Sequence, residues 1–321
     1  MKSHLLGTSD IKITRLIMGT WQAGKSMWSA INDVETSRAV RAAFDGGITT
    51  FDTAESYGNG HSERIVGETL ADVREKVIYA TKVSHNHLKY DQVIEACHRS
   101  MKNLKTDYID LYQIHWPSGI WWGSDPIPIE ETMQAMNDLK QQGKIRAIGV
   151  SNFSRTLLEK AAQSCPIDTL QSPYSLFWRH IEKEIVSFCM DNHITILAYS
   201  PMAQGFLTGK FGPDHKFAKK DHRSKNKLFK PENYHRVQKA VTRLQPVAKR
   251  NEVTLGQLAL AWVMAKPWAC AISGVRNASQ IRENIKATEI CLSRTDLTEM
   301  DAISRTVTDF LDNNPIMWDF K

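Results

Sequence analysis

Four ionisable side chains of different kinds stand at the ends of successive apolar segments between residues 52 and 115. Asp52 and Tyr57 follow the first of these segments. Lys82 and His115 lie at the ends of the next two. A carboxylate, a phenol, an amine and an imidazole can exchange protons with a substrate if the fold brings them together. The amine could alternatively form a Schiff base, as in an aldolase.

The elements that must position these groups alternate regularly along the chain. Short apolar segments rich in β-branched residues alternate with amphipathic segments, which indicates β-α units around a parallel sheet. The predicted strands cover residues 14–20, 49–53, 77–83, 108–115, 148–151, 169–172, 195–200 and 269–273. The predicted helical segments cover about 35–45, 62–70, 90–104, 128–142, 154–163, 180–192, 234–266 and 279–287.

Eight such units predict a parallel (β/α)8 TIM barrel in a single domain over residues 1–321. We expect a small β-hairpin over residues 1–13, with Gly7 at its turn, before the barrel. An open doubly wound sheet is the alternative, but the first strand lacks a following G-x-G-x-x-G turn. In a barrel the C-terminal strand ends converge on one face, so the four groups above would meet there. The predicted helix N-caps include Asp91, Ser154 and Asn277.

Composition restricts the location and the partners. No apolar run approaches the roughly 20 residues of a membrane span, and the polar N-terminus lacks a signal-peptide apolar region. We therefore expect a cytoplasmic protein without a membrane partner. The basic residues over 219–227 have no Phe, Tyr or Trp interleaved among them, so no nucleic-acid partner is expected, and the lack of a heptad repeat or an extended apolar stripe favours a monomer over an oligomer. The five cysteines are widely spaced and are interpreted as small buried residues, and no metal site is expected. The net charge of +6 includes a basic run over 216–230, interpreted as a solvated loop or alternatively as a loop near a phosphate-bearing cofactor.

Six ordered motifs resemble those of the aldo-keto reductase superfamily, in its bacterial branch related to potassium-channel β subunits, and the resemblance covers nearly the whole chain. The motifs are FDTAESYG at 51–58, ATK at 80–82, DLYQIHW at 110–116, GVSNF at 149–153, QSPY at 171–174 and AYSP at 198–201. The resemblance implies the β/α barrel and the reversible reduction of aldehydes and ketones by a nicotinamide cofactor. It places the family's catalytic tetrad on Asp52, Tyr57, Lys82 and His115.

This resemblance implies a role for each member of the tetrad. Tyr57 would donate the proton, because a phenol with an ordinary pKa of about 10 is protonated at neutral pH. The Lys82 ammonium would lower that pKa, and Asp52 would keep the lysine charged and in place. His115 would donate a hydrogen bond to the carbonyl oxygen.

The resemblance also implies a cofactor site along the rim. The residues expected to hold the nicotinamide and the pyrophosphate are Ser151, Asn152, Gln171, Tyr199, Ser200, Met202, Gln204, Gly205, Leu207 and Lys210. Those expected at the adenosine end are Gly274, Arg276, Gln280, Glu283 and Asn284. Arg276 is suited to a 2′-phosphate, so NADPH is expected rather than NADH. Many members have Pro-Lys or Pro-Gly where this chain has Ser273-Gly274, and many have arginine where it has Gln280, so this preference rests mostly on Arg276.

Tryptophans are expected to form the substrate pocket. Those expected at the mouth of the barrel are Trp21, Trp116, Trp121 and Trp122, whereas Trp28 is interpreted as ordinary packing. The loop over 117–128 could act as a lid. A non-enzymatic alternative also exists, because some relatives are cofactor-binding regulatory subunits of potassium channels.

Overall fold

The structure, a computed structural model, describes residues 1–25, 28, 31–119, 126–217 and 221–319. Its first two strands, β1 (Ser3–Leu5) and β2 (Lys12–Thr14), form an antiparallel hairpin. Gly7 lies in the turn with a φ of +57°, and a Cβ at this position would lie 2.5 Å from the backbone of Asp168. The predicted hairpin is therefore confirmed, and its turn packs tightly against the body of the protein.

Eight parallel strands follow the hairpin and close into a barrel. They are β3 (Leu16–Gly19), β4 (Thr50–Asp52), β5 (Ile78–Val83), β6 (Ile109–Ile114), β7 (Ile145–Ser151), β8 (Thr169–Pro173), β9 (Thr195–Tyr199) and β10 (Ala269–Gly274). Each strand pairs with the next, and β10 returns to β3 through the pairing of Gly274 with Gly19. The closed barrel confirms the predicted fold, and the open doubly wound alternative is wrong.

Helices surround the barrel. They are α1 (Asp33–Asp45), α2 (His61–Thr69), α3 (Tyr90–Leu104), α4 (Ile129–Gln141), α5 (Arg155–Ser164), α6 (Ile185–Asp191), α7 (Pro231–Arg250), α8 (Leu255–Met264), α9 (Ala278–Lys286) and α10 (Arg294–Thr308). The predicted caps Ser154 and Asn277 are confirmed, because each side chain accepts a hydrogen bond from the first turn. Asp91 is not a cap; α3 begins one residue before it, and Asp91 lies in the first turn.

Three helical predictions need correction. The segment 180–192 is not one helix but a 3-10 turn over His180–Glu182 followed by α6. The segment 234–266 contains two helices, because the Thr254 side chain and the Gln257 side chain cap a new start there. The C-terminal helix α10 was not predicted.

The hairpin closes the N-terminal end of the barrel. Leu6, Ile11 and Ile13 are buried and pack with inward-facing strand residues such as Leu111 and Leu197. With that end filled by apolar side chains, the C-terminal ends of the strands are left to form a site. Four of the five cysteines are buried as expected, but Cys291 is exposed. Over the ranges given above, no helix has the length and apolar character needed to cross a membrane.

Candidate active site

The four ionisable groups of the first strand ends meet at the C-terminal face of the barrel. Lys82 is completely buried, and its Nζ donates hydrogen bonds to Asp52 Oδ2 at 2.8 Å and to the Thr53 carbonyl oxygen at 2.6 Å. Nζ also lies 5.1 Å from the centre of the Tyr57 ring. The Tyr57 and His115 rings meet edge to face with centres 5.5 Å apart. The arrangement gathers an ion pair, a phenol and an imidazole around one point.

Burial dominates the electrostatics of these groups. Burial, and then the Asp52 carboxylate, raises the pKa of the Tyr57 phenol well above its ordinary value. This direction is opposite to the lowering expected from Lys82. Burial also lowers the pKa of Lys82, although Asp52 opposes the effect. Burial and the Lys82 ammonium lower the pKa of His115 well below 6.5. At neutral pH the site therefore holds a protonated phenol beside a neutral imidazole.

Ser56 fixes the orientation of the His115 ring. Its hydroxyl oxygen lies 3.2 Å from His115 Nδ1. A neutral imidazole carries one N–H, so a hydrogen bond donated by Ser56 to Nδ1 leaves the proton on Nε2. In that tautomer His115 offers a donor on its other nitrogen, which is the property needed to hold a carbonyl oxygen.

The Asp52 carboxylate joins several strands. While Oδ2 accepts from Lys82, Oδ1 accepts from Gln171 Nε2 at 2.8 Å and lies 3.5 Å from Gln113 Nε2. These contacts connect β4 to β5, β6 and β8 in the barrel interior. Gln171 is thus held by Asp52 at the same time as it faces the cavity above.

The side chains after β7 form a second hydrogen-bonded group. Asn152 has a φ of +63°, and its Nδ2 donates to the His115 carbonyl oxygen at 3.0 Å and to Ser151 Oγ at 2.9 Å. The Tyr199 hydroxyl donates to Asn152 Oδ1 at 2.8 Å. Asparagine adopts this left-handed conformation more readily than most residues, so it suits a position where the side chain must turn back toward the strand ends. The side-chain amide of Asn152 is thereby held beside the Tyr199 ring.

A cavity of about 1000 Å³ runs along this face of the barrel. Of the tetrad, Asp52, Tyr57 and His115 line it, while Lys82 does not appear in its walls. The expected cofactor residues that line it are Ser151, Asn152, Gln171, Tyr199, Ser200, Met202, Gln204, Gly205, Lys210, Gly274, Arg276, Gln280 and Asn284. Two expected residues do not: Leu207 is buried in the core, and Glu283 pairs with Lys286 at 2.8 Å outside the cavity.

The loop after β9 has an unusual backbone. Ser200, Ala203, Gln204 and Gly205 all have φ values between +48° and +98°. The side-chain oxygen and nitrogen of Gln204 are buried and find no hydrogen-bond partner among the described residues. Buried amide atoms of this kind require a hydrogen-bonding group such as a water molecule or a ligand, and strained backbone is typical of ligand-binding loops.

Three cations gather beyond this loop. Desolvation, followed by the guanidinium groups of Arg223 and Arg276, lowers the pKa of Lys210. Asp221 opposes this effect and pairs with Arg223 at 2.5 Å. The mutual repulsion of several cations in one cavity is relieved by an anionic ligand, so this part of the cavity fits phosphate groups.

The far end of the cavity lies at the start of α9. The Arg276 backbone N–H donates to Gln280 Oε1 at 2.8 Å, and Asn284 Nδ2 donates to Ser273 Oγ at 2.8 Å. A Cβ at Gly274 would lie 2.5 Å from the amide at the end of the Gln22 side chain, so a larger residue here would displace that side chain. The donor set, the volume of the cavity and the cationic cluster together fit a dinucleotide.

The comparison with known families decides what this barrel is. The family described as "Aldo/keto reductase family" matches residues 15–305. The chain belongs to the aldo-keto reductase family. It is therefore an oxidoreductase that acts on carbonyl groups, and the resemblance found in the sequence is confirmed.

Several known proteins resemble this aldo-keto reductase along almost their whole length. An Escherichia coli protein named NADH-specific methylglyoxal reductase is 34% identical over 94% of this chain and 97% of its own. The structure of a glycerol dehydrogenase from Gluconobacter oxydans is 31% identical, covers 97% of each chain and superposes with a TM-score of 0.88. The structure of an aldo-keto reductase from Klebsiella pneumoniae in complex with NADPH is 26% identical, covers 99% of this chain and 100% of the other, and gives a TM-score of 0.76.

The basic run of this aldo-keto reductase is more than a solvated loop. Residues 221–225 line the cavity, and the Arg223 side chain is only 10% exposed. Arg223 and Arg276 lie 5.3 and 5.5 Å from the centre of the Trp28 ring. The interpretation of Trp28 as ordinary packing is incomplete, because the indole packs on Trp21 and also lines the cavity beside both guanidinium groups.

Trp318 forms a further wall of the cavity, which the sequence analysis did not identify. Its ring stacks within 13° of the Tyr199 plane at a centre distance of 6.2 Å. A bridge between Asn226 and Trp318 holds it there. No local pattern indicates this placement, since the two bridge residues are far apart in the chain.

The part of the cavity that is expected to bind substrate is partly described. Trp21 and Trp116 line it as expected. Trp121 and Trp122, together with residues 120–125 of the expected lid, lie outside the described residues. Among the parts of the chain that the structure covers, no group of three or more His, Cys, Asp or Glu side chains could hold a metal ion.

Proposed function

We propose that this aldo-keto reductase reduces aldehydes and ketones to alcohols with NADPH, and that Tyr57 supplies the proton. The observation that carries the proposal is the position of the protonated Tyr57 phenol, beside the Lys82–Asp52 pair and the neutral His115, at the wall of a cavity that fits a dinucleotide. The same groups would serve alcohol oxidation in the reverse direction.

The nicotinamide cofactor, when bound, supplies or accepts the hydride. Around it, Ser151, Asn152 and Gln171 would orient the carboxamide and Tyr199 would support the ring. His115 Nε2 would orient the substrate oxygen, on which negative charge develops during reduction. Tyr57 would then transfer its proton to that oxygen, and the fixed Lys82 ammonium would stabilise the resulting phenolate. Asp52 would keep the ammonium charged despite its burial.

We propose NADPH as the preferred cofactor. Arg276 can pair its planar guanidinium group with a 2′-phosphate, and Lys210 and Arg223 add positive charge in the same cavity. A homologous structure holds NADPH, whereas another relative is named as NADH-specific. Titration of both reduced cofactors by protein fluorescence tests the preference. Tighter binding of NADH would reverse it.

The function is tested by the absorbance of the reduced cofactor in the presence of a panel of aldehydes and ketones. Turnover of members of the panel with NADPH is expected. Tight NADPH binding without any turnover would instead favour a cofactor-binding regulatory subunit. A substrate adduct trapped on Lys82 by borohydride would favour an aldolase.

A further inference from the structure

A buried hydroxyl group at the start of α2 has no part in the proposed chemistry. Ser62 is completely buried in the first turn of this helix, and its Oγ accepts a hydrogen bond from Thr53 Oγ1 at 2.9 Å. The same hydroxyl donates to the Thr20 carbonyl oxygen at 3.0 Å. Ser62 therefore joins the residue that follows β4 to the residue that follows β3.

These contacts fix the backbone beside the buried ion pair. Thr20 Oγ1 donates to the Asp52 carbonyl oxygen at 3.0 Å, and the Thr53 carbonyl oxygen accepts from Lys82 Nζ at 2.6 Å. Thr53 is completely buried, so its hydroxyl needs an acceptor inside the protein, and Ser62 supplies it. The stiff side chain of threonine transmits this anchoring to its own backbone. The Ser62 hydroxyl thus holds the residue whose carbonyl oxygen binds the ammonium group.

The orientation of the Lys82 ammonium group depends on this carbonyl oxygen. An ammonium group has three N–H donors. Two of them are bound, to Asp52 Oδ2 and to the Thr53 carbonyl oxygen, so these two acceptors set the direction of the third. The centre of the Tyr57 ring lies 5.1 Å from Nζ. A displacement of the Thr53 carbonyl oxygen would therefore turn the ammonium group relative to the phenol.

The first turn of α2 also contacts the loop that carries the phenol and the strand that carries the ammonium. The Ser62 backbone N–H donates to the Tyr57 carbonyl oxygen at 3.2 Å. The adjacent Glu63 is completely buried, and its Oε1 accepts from Thr81 Oγ1 at 2.6 Å. Thr81 directly precedes Lys82 in β5. This turn of helix therefore joins the loop to the strand outside the cavity.

We propose that Ser62 is a positioning residue, whose hydroxyl holds the Thr53 carbonyl oxygen against the Lys82 ammonium group. The ammonium then lies where it stabilises the phenolate that forms at Tyr57 during reduction. Ser62 does not line the cavity, so it acts through its neighbours and not on substrate or cofactor. The inference rests on the proposed carbonyl reduction and adds a residue on which its proton transfer depends.

The test is a double-mutant cycle between Ser62→Ala and Thr53→Val, which remove the acceptor and the donor of one hydrogen bond. The single-turnover rate is measured with the reduced cofactor that supports turnover and the panel aldehyde that the wild type reduces fastest. It is expressed per cofactor-binding site counted by fluorescence titration, so that unfolded protein does not contribute. The control is Thr132→Val, because Thr132 is equally buried near the start of α4 and donates to the Leu88 carbonyl oxygen at 2.7 Å.

We expect each single variant to lower the rate per site by about twofold to tenfold, the range for one lost neutral hydrogen bond. Cofactor affinity should stay within about twofold of the wild type. The double variant should be no slower than either single variant, because the second substitution removes a group that has already lost its partner. Thr132→Val should unfold at a lower urea concentration and keep the wild-type rate. Thr53→Val alone decides the matter if Ser62→Ala does not fold, because it breaks the same hydrogen bond.

Single variants that lose stability but keep the wild-type rate per site would overturn the inference while leaving carbonyl reduction intact. Rate losses that multiply in the double variant would also overturn it, since the two hydroxyl groups would then act independently. An equal rate loss in Thr132→Val would do the same, because any buried hydroxyl would then have this effect. Failure of the wild type to reduce any member of the panel would instead refute the proposed function.

Discussion

Replacement of Lys82 by methionine should cost both activity and stability. The side chain of Lys82 is fully buried and that of Asp52 is 5% exposed, with their charged atoms 2.8 Å apart. Methionine fills a similar volume but leaves the Asp52 carboxylate buried with only amide donors, from Gln171 and Gln113. Removal of one partner of a buried ion pair typically costs about 3–5 kcal/mol. We expect the free energy of unfolding of Lys82→Met to fall by that amount.

Urea-induced unfolding followed by circular dichroism measures this loss. The double variant Asp52→Asn with Lys82→Met removes both charges, while the asparagine oxygen can still accept from Gln171. It should therefore be more stable than Lys82→Met alone, although it lacks activity. A single variant as stable as the wild type, or a double variant no more stable than the single one, would refute the account of the pair as a buried, mutually dependent unit.

Three further predictions concern the other site residues. Tyr57→Phe should fold normally and bind cofactor within about threefold of the wild type. Its kcat should fall by about 10²- to 10⁴-fold, the usual contribution of a general acid. Full turnover in a steady-state assay would exclude Tyr57 as the proton donor. Arg276→Met should weaken NADPH binding by about tenfold or more, because a charge-assisted contact to the 2′-phosphate would be lost. The affinity for NADH should stay within about twofold of the wild type, as measured by fluorescence titration. Equal weakening of both cofactors would contradict the assignment. The pKa of His115 is lowered in the folded protein, so below about pH 6.5 the unfolded chain binds a proton that the native state does not. The free energy of unfolding should therefore fall as the pH decreases, by up to about 1.4 kcal/mol per pH unit for this one group. His115→Asn should show a correspondingly weaker pH dependence in urea unfolding between pH 5 and pH 7, and identical slopes would contradict the buried neutral imidazole.

The barrel could be predicted from the sequence because the patterns that determine it are local and repeated. Each strand is a short apolar segment, and each helix has an amphipathic pattern and often its own cap, as at Ser154 and Asn277. The four candidate catalytic residues lie at strand ends, where closure of the barrel brings them together automatically. Asp91 was predicted as an N-cap because its side chain suits that position. The helix instead begins at Tyr90, with Lys89 as the N-cap residue.

The remaining walls of the cavity depend on contacts that no local pattern encodes. Trp28 faces the cavity because Arg223 and Arg276 meet it from distant segments. Trp318 faces Tyr199 because a short bridge holds the C-terminal segment. The expected pKa of Tyr57 had the wrong direction for a similar reason, because its burial depends on the assembled barrel rather than on any one neighbour.

The bridge beside Trp318 has a thermodynamic consequence. The Lys227 N–H donates to the Met317 carbonyl oxygen at 2.9 Å, and the Asp319 N–H donates to the Lys225 carbonyl oxygen at 3.0 Å. The segment that carries Arg223 to the cationic part of the cavity is thus joined to the indole that stacks on Tyr199. A ligand that displaces this segment must change both walls together, and linkage requires the effect to be reciprocal. An inhibitor that presses on Trp318 should change the affinity for cofactor by the same factor by which the cofactor changes the affinity for the inhibitor.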